Sequence, residues 1–137
     1  MSYIMELKTS AEIFLLNNVK DNIEEIYPCT RQDWIHFLVE QRSTNPNKIR
    51  IWASVTDDKI TNYIVVTDFY NPPLTDFMSI TYIWGKGREQ NIELCETSFK
   101  WGRELGRKRF VGITTIPDDV CTVVGYKTIG RVVERIL

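Results

Sequence analysis

Histidine occurs once and cysteine three times in this 137-residue chain, and the three cysteines are widely spaced. A lone His36 cannot assemble an imidazole metal cluster. Cys29, Cys95 and Cys121 are odd in number and form no Cys-x-x-Cys pair. That spacing argues against a disulfide framework or a zinc site and suits a reducing compartment. No apolar run approaches the ~18 residues a membrane helix needs, and the N-terminus lacks a basic stretch followed by an apolar one. The formal net charge is −1, so no global field draws the chain to nucleic acid or to a membrane. Repeats and low-complexity tracts are absent as well. The expectation is a cytoplasmic protein with no metal. What is present is ordinary: 43% hydrophobic and 26% charged residues. That is enough for one core, so residues 1–137 are expected to form one domain.

Periodicity gives the elements. Tyr3 to Leu7 alternates as a short strand. Thr9-Ser-Ala-Glu12 has capping-box spacing, and Ile13, Leu16, Ile23 and Tyr27 then recur at helical intervals up to Pro28. Phe14, Leu15, Val19 and Ile26 widen that stripe. Thr30-Arg-Gln-Asp33 opens a second helix, with Trp34, Phe37, Leu38 and Gln41 on one face, and Ser43 to Asn47 stops it. From Lys48 the period becomes two. Ile49, Ile51, Ala53 and Val55 face one way, and Arg50, Trp52 and Ser54 the other. Asp57-Asp-Lys59 is hairpin-turn chemistry, and Ile60 to Phe69 is the return strand.

The chain is organised around Phe77 to Thr115. A third strand, Phe77 to Trp84, turns through Gly85-Lys-Gly-Arg88 into a long helix, Glu89 to Leu105. Gly106 ends that helix, and Lys108 to Thr115 forms another strand. The first N–H groups of a helix have no partner inside it, and the dipole there favours an anion, so the turn is a candidate phosphate site. Lys100, Arg103, Arg107, Lys108 and Arg109 cluster at the helix's other end, where cations suit the dipole. Pro117-Asp-Asp119 starts a short helix ending at Gly125, and Tyr126 to Ile136 reads as a last strand. The order β-α-α-β-β-β-α-β-α-β contains one helical crossover, which implies parallel pairing of the strands it joins. The fold class is therefore α/β (mixed α+β), a mixed central sheet with helices on both faces.

With that order, several stretches resemble the GCN5-related N-acetyltransferase (GNAT) superfamily. Phe99-Lys-Trp-Gly-Arg-Glu-Leu-Gly-Arg-Lys-Arg-Phe110 looks like the end of its central helix, the following glycine and the next strand. Gly125-Tyr-Lys-Thr-Ile-Gly-Arg131 looks like its closing segment, and Asp57-Asp-Lys-Ile60 like its hairpin turn. The resemblance implies a GNAT-like fold that splays near Trp84 and binds acetyl-CoA. It implies that the backbone of Ile83, Trp84 and Gly85 pairs with the pantetheine arm. Lys86, Gly87, Arg88 and Gln90 would hold the pyrophosphate. Counted back from Trp101, the phosphate loop is Lys86 to Asn91, with Glu89 and Asn91 where the family has small residues. Cys121 stands where many members carry a tyrosine that protonates the CoA thiolate; a small buried apolar residue is the plainer reading. No acid lies within Ser79 to Trp84. Asp68 and Asp76 are then the candidates for the base, and both fit equally well as turn residues.

Two functions follow. One is an N-acetyltransferase moving an acetyl group from acetyl-CoA to the amine of a small molecule or peptide. The other is a non-catalytic GNAT-like module that binds a protein partner, as small phage virion components of similar length do; the chain would then reside in a virion. A second copy of the chain, forming a homodimer, is a further candidate partner.

Overall fold

The computed structural model describes residues 1–112, 118–127, 129 and 134–136. Four strands form an antiparallel sheet in the order β1-β2-β3-β4. They are β1 (Ser2–Glu6), β2 (Ile49–Thr56), β3 (Lys59–Asp68) and β4 (Met78–Gly85). Asp57 and Asp58 both take positive φ, 51° and 61°, as the tight turn between β2 and β3 requires. The crossover prediction is met at one point. Met78 bridges Phe110 in parallel, with Met78 N donating to Arg109 O at 2.9 Å and Val111 N to Met78 O at 2.8 Å. Among the described residues that contact is confined to the Met78 end of β4. The last residues of the expected strand Lys108 to Thr115, 113–115, lie outside the described ones. Residues 128 and 130–133 of the expected strand Tyr126 to Ile136 also lie outside them.

Helices cover both faces. On one side α1 (Ser10–Phe14), the 3-10 turn after it, α2 (Ile23–Ile26) and α3 (Arg31–Thr44) bury Ile13, Leu16, Ile23, Trp34, Ile35 and Leu38 against Ile49, Ile51, Ala53, Tyr63 and Val65. On the other, α4 (Arg88–Glu104) packs Leu94, Cys95 and Trp101 against Trp52, Ile64, Val66, Met78 and Ile80. The period-two assignment of β2 therefore holds: Ile51 and Trp52 serve opposite cores. α5 (Asp118–Val123) lies beside α4, where Cys121 joins the second core. Among the described residues no helix is long and apolar enough to cross a membrane.

One expectation is corrected. The stretch from Thr9 to Tyr27 is not one helix. It begins with the capping box of Thr9 and Glu12, then tightens to a 3-10 turn at Leu15–Asn18 and resumes at Ile23. The break lets the Asp21 side chain turn inward. There its carboxylate, fully buried, takes two bonds from Arg31 (3.1 and 2.9 Å) and one from the Tyr63 hydroxyl at 2.6 Å. A continuous helix would leave this buried network without its acid. Phe14 and Leu15, expected on the buried stripe, are exposed as a result.

Candidate functional site

The turn after β4 is shorter than the motif count suggests. Gly87 is the N-cap of α4, and the helix begins at Arg88. The loop is therefore Gly85 to Gly87, and Glu89 and Asn91 belong to the first helical turn rather than to a loop. Gly85 has φ +135°, a region that side chains rarely enter, and a Cβ there would overlap the Asn62 side chain. Gly87 supplies no side chain to cap the helix.

Asn91 is buried and points inward. Its Nδ2 donates to Gly85 O at 2.9 Å. Its Oδ1 accepts from Asn62 Nδ2 at 2.9 Å, and the same Nδ2 also reaches Gly87 O at 3.1 Å. The two amides thus occupy two carbonyl oxygens of the turn from behind. The first-turn N–H groups of Arg88, Glu89 and Gln90 precede the first intrahelical donor, Asn91 N, which bonds Gly87 O at 3.0 Å. With no side-chain cap on the helix, the N–H groups of Glu89 and Gln90 are donors that suit an anion. Lys86, Arg88 and Glu89 are exposed around them, while Gln90 is half-buried.

β4 carries a bulge upstream of this turn. Val65 pairs with Tyr82 and Val66 with Ile80, which leaves Thr81 as the extra residue. Its carbonyl accepts from the Tyr27 hydroxyl, and its hydroxyl shares a 2.7 Å bond with Thr67 Oγ1. Bulges commonly sit beside active sites, because they re-aim a strand. Nearby, Tyr82 bonds the Asn22 side chain and also accepts from Asn22 N at 3.3 Å. Burial pushes the Tyr82 and Tyr63 phenols well above their ordinary pKa, helped by the charge of Asp21 at Tyr82 and by the hydrogen bond to Asp21 at Tyr63. At neutral pH both are hydrogen-bonding groups and not bases.

The structure brings Ile83, Trp84, Gly85, Lys86, Gly87, Arg88 and Gln90 together at one end of the sheet. It does not bring Asp68 there. Asn62 pairs with Gly85 and Asp68 with Met78, so six strand residues, about 20 Å, separate the two ends of β3. Asp68 is buried and held by Arg107 through Nε at 3.2 Å and Nη2 at 2.9 Å, and it accepts from Tyr70 N at 3.1 Å. The Asp68 carboxylate is thus engaged by Arg107 and Tyr70 N, at the other end of β3 from the turn. Asp76 is exposed and paired with Arg109 at 2.6 Å. Cys121 is half-buried on α5 near Cys95. Burial, and then Cys121's charge, pushes the Cys95 thiol up to about 12.

The sequence reading passed over Asn62, Tyr27 and the bulge at Thr81. An asparagine inside the β-branched run from Ile60 to Val66 was a usable signal, since a polar amide at a buried strand position needs partners.

No protein-family model matches this sequence, and no curated protein does. Solved structures match over nearly the whole chain. AAC(6')-Iy in complex with the bisubstrate analogue CoA-S-monomethyl-acetylneamine superposes with TM-score 0.75 at 12% identity, over 100% of this chain and 98% of that one. The aminoglycoside acetyltransferase meta-AAC0020 from an uncultured soil metagenomic sample, in complex with sisomicin, gives 0.71 at 11%, over 99% and 95%. The ribosomal-protein-alanine N-acetyltransferase of Brucella melitensis biovar Abortus 2308 gives 0.65 at 10%, over 99% of each chain. The chain has the GNAT fold. At these identities the likeness concerns the fold alone, and the chemistry must be argued from the turn, the bulge and their neighbours.

Proposed function

We propose that this GNAT-fold chain is an acyl-CoA-dependent N-acetyltransferase. The observation that carries the reading is the uncapped N-terminus of α4 behind a glycine turn whose carbonyls are tied back by Asn62 and Asn91. The position fits a pyrophosphate. Backbone donors lead, Lys86 and Arg88 add charge, and Gly87 permits close approach. The backbone of Ile83, Trp84 and Gly85 would hold the pantetheine arm along the edge of β4 away from β3. Acetyl-CoA supplies the thioester. A neutral acceptor amine attacks the carbonyl carbon, the C–S bond breaks, the nitrogen gives up one proton to solvent, and the thiolate takes one up. Cys121 is retained as the donor of that proton. A neutral amine can attack directly, so the reading does not depend on Asp68. The acceptor, a small-molecule or peptide amine, would approach from the side of α1 to α3, where Thr81, Thr67 and Tyr27 lie.

Thermal unfolding with acetyl-CoA is the test. A ligand at 100 times its Kd adds about 2.7 kcal/mol to the native state, a clear rise in Tm. No rise at millimolar acetyl-CoA overturns the proposal. Loss of the rise in Gly87→Glu places the site, and its survival in Cys121→Ala separates binding from proton transfer.

One observation favours the second reading, a non-catalytic module for a protein partner. Glu89 is exposed in the first turn of α4, where its carboxylate would oppose a pyrophosphate. Co-purification with a partner in the absence of any acetyl-CoA response would support it.

A further inference from the structure

At the far end of α4, 17 residues or about 25 Å of helix from the turn, lies a recess of about 240 Å³. We propose that it binds a small anion carried on a flat, apolar body, the chemistry of an aryl phosphate. Its floor is aromatic: Phe99 meets Phe110 edge-on at 4.9 Å between centroids and Tyr126 at 5.8 Å. Gly102 keeps the floor low, since a Cβ there would stand 2.8 Å from the Phe110 ring. Its rim is cationic. Arg103, Arg107, Lys108 and Arg109 line it, and among the described residues no acid does.

The charges are not all needed for the fold. Arg107 is neutralised by Asp68 and lies over the Tyr70 ring at 3.9 Å, and Arg109 is paired with Asp76. Arg103 and Lys108 have no ion-pair partner among the described residues. Nor are their side chains used to cap α4. Backbone donors already serve its end, from Gly106 N to Arg103 O at 3.0 Å and from Arg107 N to Gly102 O at 2.9 Å. Two uncompensated cations above an aromatic floor match an anionic head on a planar body. The guanidinium can take two phosphate oxygens side by side, and the ammonium acts as a point charge. The volume lies below the range of drug-sized pockets, so the ligand is a fragment-sized molecule.

Phenyl phosphate is the probe, with benzyl alcohol and inorganic phosphate as comparisons. Binding is followed by amide shifts in the NMR spectrum at Gly102, Arg103, Phe110 and Tyr126. Saturable shifts with phenyl phosphate are expected, weaker ones with inorganic phosphate and none with benzyl alcohol. Arg103→Ala with Lys108→Ala should cut the affinity about tenfold or more. Both residues are exposed, so the Tm should fall only by the small amount that Arg103 contributes at the C-terminal end of the helix dipole. Absence of saturable shifts at 10 mM (about the weak limit for such a fragment), or equal binding by the double variant, overturns the proposal. The acetyl-CoA response at the other end of α4 should be the same in the double variant, so the two readings stand or fall separately.

Discussion

Asn62 Nδ2 donates to Asn91 Oδ1 across 2.9 Å, joining β3 to the first turn of α4. Each amide has a second bond to the turn between them: Asn62 to Gly87 O and Asn91 to Gly85 O. The pair fixes which way the turn's peptides face. Asn91→Asp keeps the acceptor for Asn62 but sets an oxygen against Gly85 O. The expected cost is about 1–3 kcal/mol, that of a buried acceptor left without its donor. Amide exchange from Lys86 to Gln90 should speed up, and acetyl-CoA affinity should fall. Hydrogen exchange on the free protein checks the first effect whether or not the chain binds acetyl-CoA. Unchanged exchange and stability would show that the amides do not hold the turn.

Gly85→Ala should fail for a related reason. The residue must hold φ +135°, and its new methyl would overlap Asn62. The backbone strain alone is about 1–3 kcal/mol, and the displaced Asn62 adds the loss of its bonds. Urea unfolding measures the sum. A variant within about 0.5 kcal/mol of the native protein, the range of an ordinary surface change, would mean that the turn relaxes freely.

Asp68→Ala should unfold the protein more readily without a specific effect on catalysis. It leaves the Arg107 guanidinium, itself only partly exposed, beside Tyr70 with no carboxylate. Breaking a buried pair costs about 3–5 kcal/mol, and the lower end applies because Arg107 retains some solvent. Once acetyl transfer to an amine can be measured, the pH profile of kcat/KM discriminates. A structural Asp68 leaves the shape of the profile unchanged in Asp68→Asn. Loss of the acidic limb would restore Asp68 as the base.

The elements were legible where one physical signal dominated. The capping box at Thr9 forms as its spacing predicts, a helix starts after Thr30 as expected, and the two aspartates of the β2–β3 turn take positive φ. The alternating faces of β2 sort Ile51 and Trp52 into separate cores. The break after Phe14 was not legible. It is driven by Asp21, whose partners Arg31 and Tyr63 lie 10 and 42 residues away, and periodicity carries no such long-range information. The turn was located but misjudged. A motif count places Asn91 in a loop facing phosphate, whereas the helix starts early enough to rotate it inward onto Asn62.

Glu12 gives a pH dependence with a definite sign. The backbone N–H of Thr9 first, then that of Lys8, holds its carboxyl below the ordinary 4.5. A depressed folded pKa contributes stability that is present above 4.5 and is lost as pH falls through the folded value. Glu12→Gln should therefore lower the Tm at pH 7, by the equivalent of about 0.5–1 kcal/mol for half a capping box. At pH 3 the gap should shrink. A gap that is constant from pH 7 to pH 3 would mean that the carboxylate's charge contributes nothing to the cap.

Glu89 is the residue on which the two functions disagree most directly. It lies in the first turn of α4, where a carboxylate favours the helix through the dipole. A bound pyrophosphate would compete for the same field and would be repelled by the charge. The acetyltransferase reading therefore predicts opposite signs for two properties of Glu89→Gln. Stability without ligand should fall by about 0.3–1 kcal/mol, the usual worth of an acid in a first helical turn. Affinity for acetyl-CoA should rise by about two- to fivefold, and the gain should shrink at high salt, because both groups are exposed to solvent. Titration of the native and variant proteins at low and high ionic strength reads all three. If the variant loses stability and neither protein responds to acetyl-CoA, Glu89 is a helix-stabilising charge on a binding module. If affinity rises with the removal of one negative charge, the turn is a phosphate cradle that carries its own restraint.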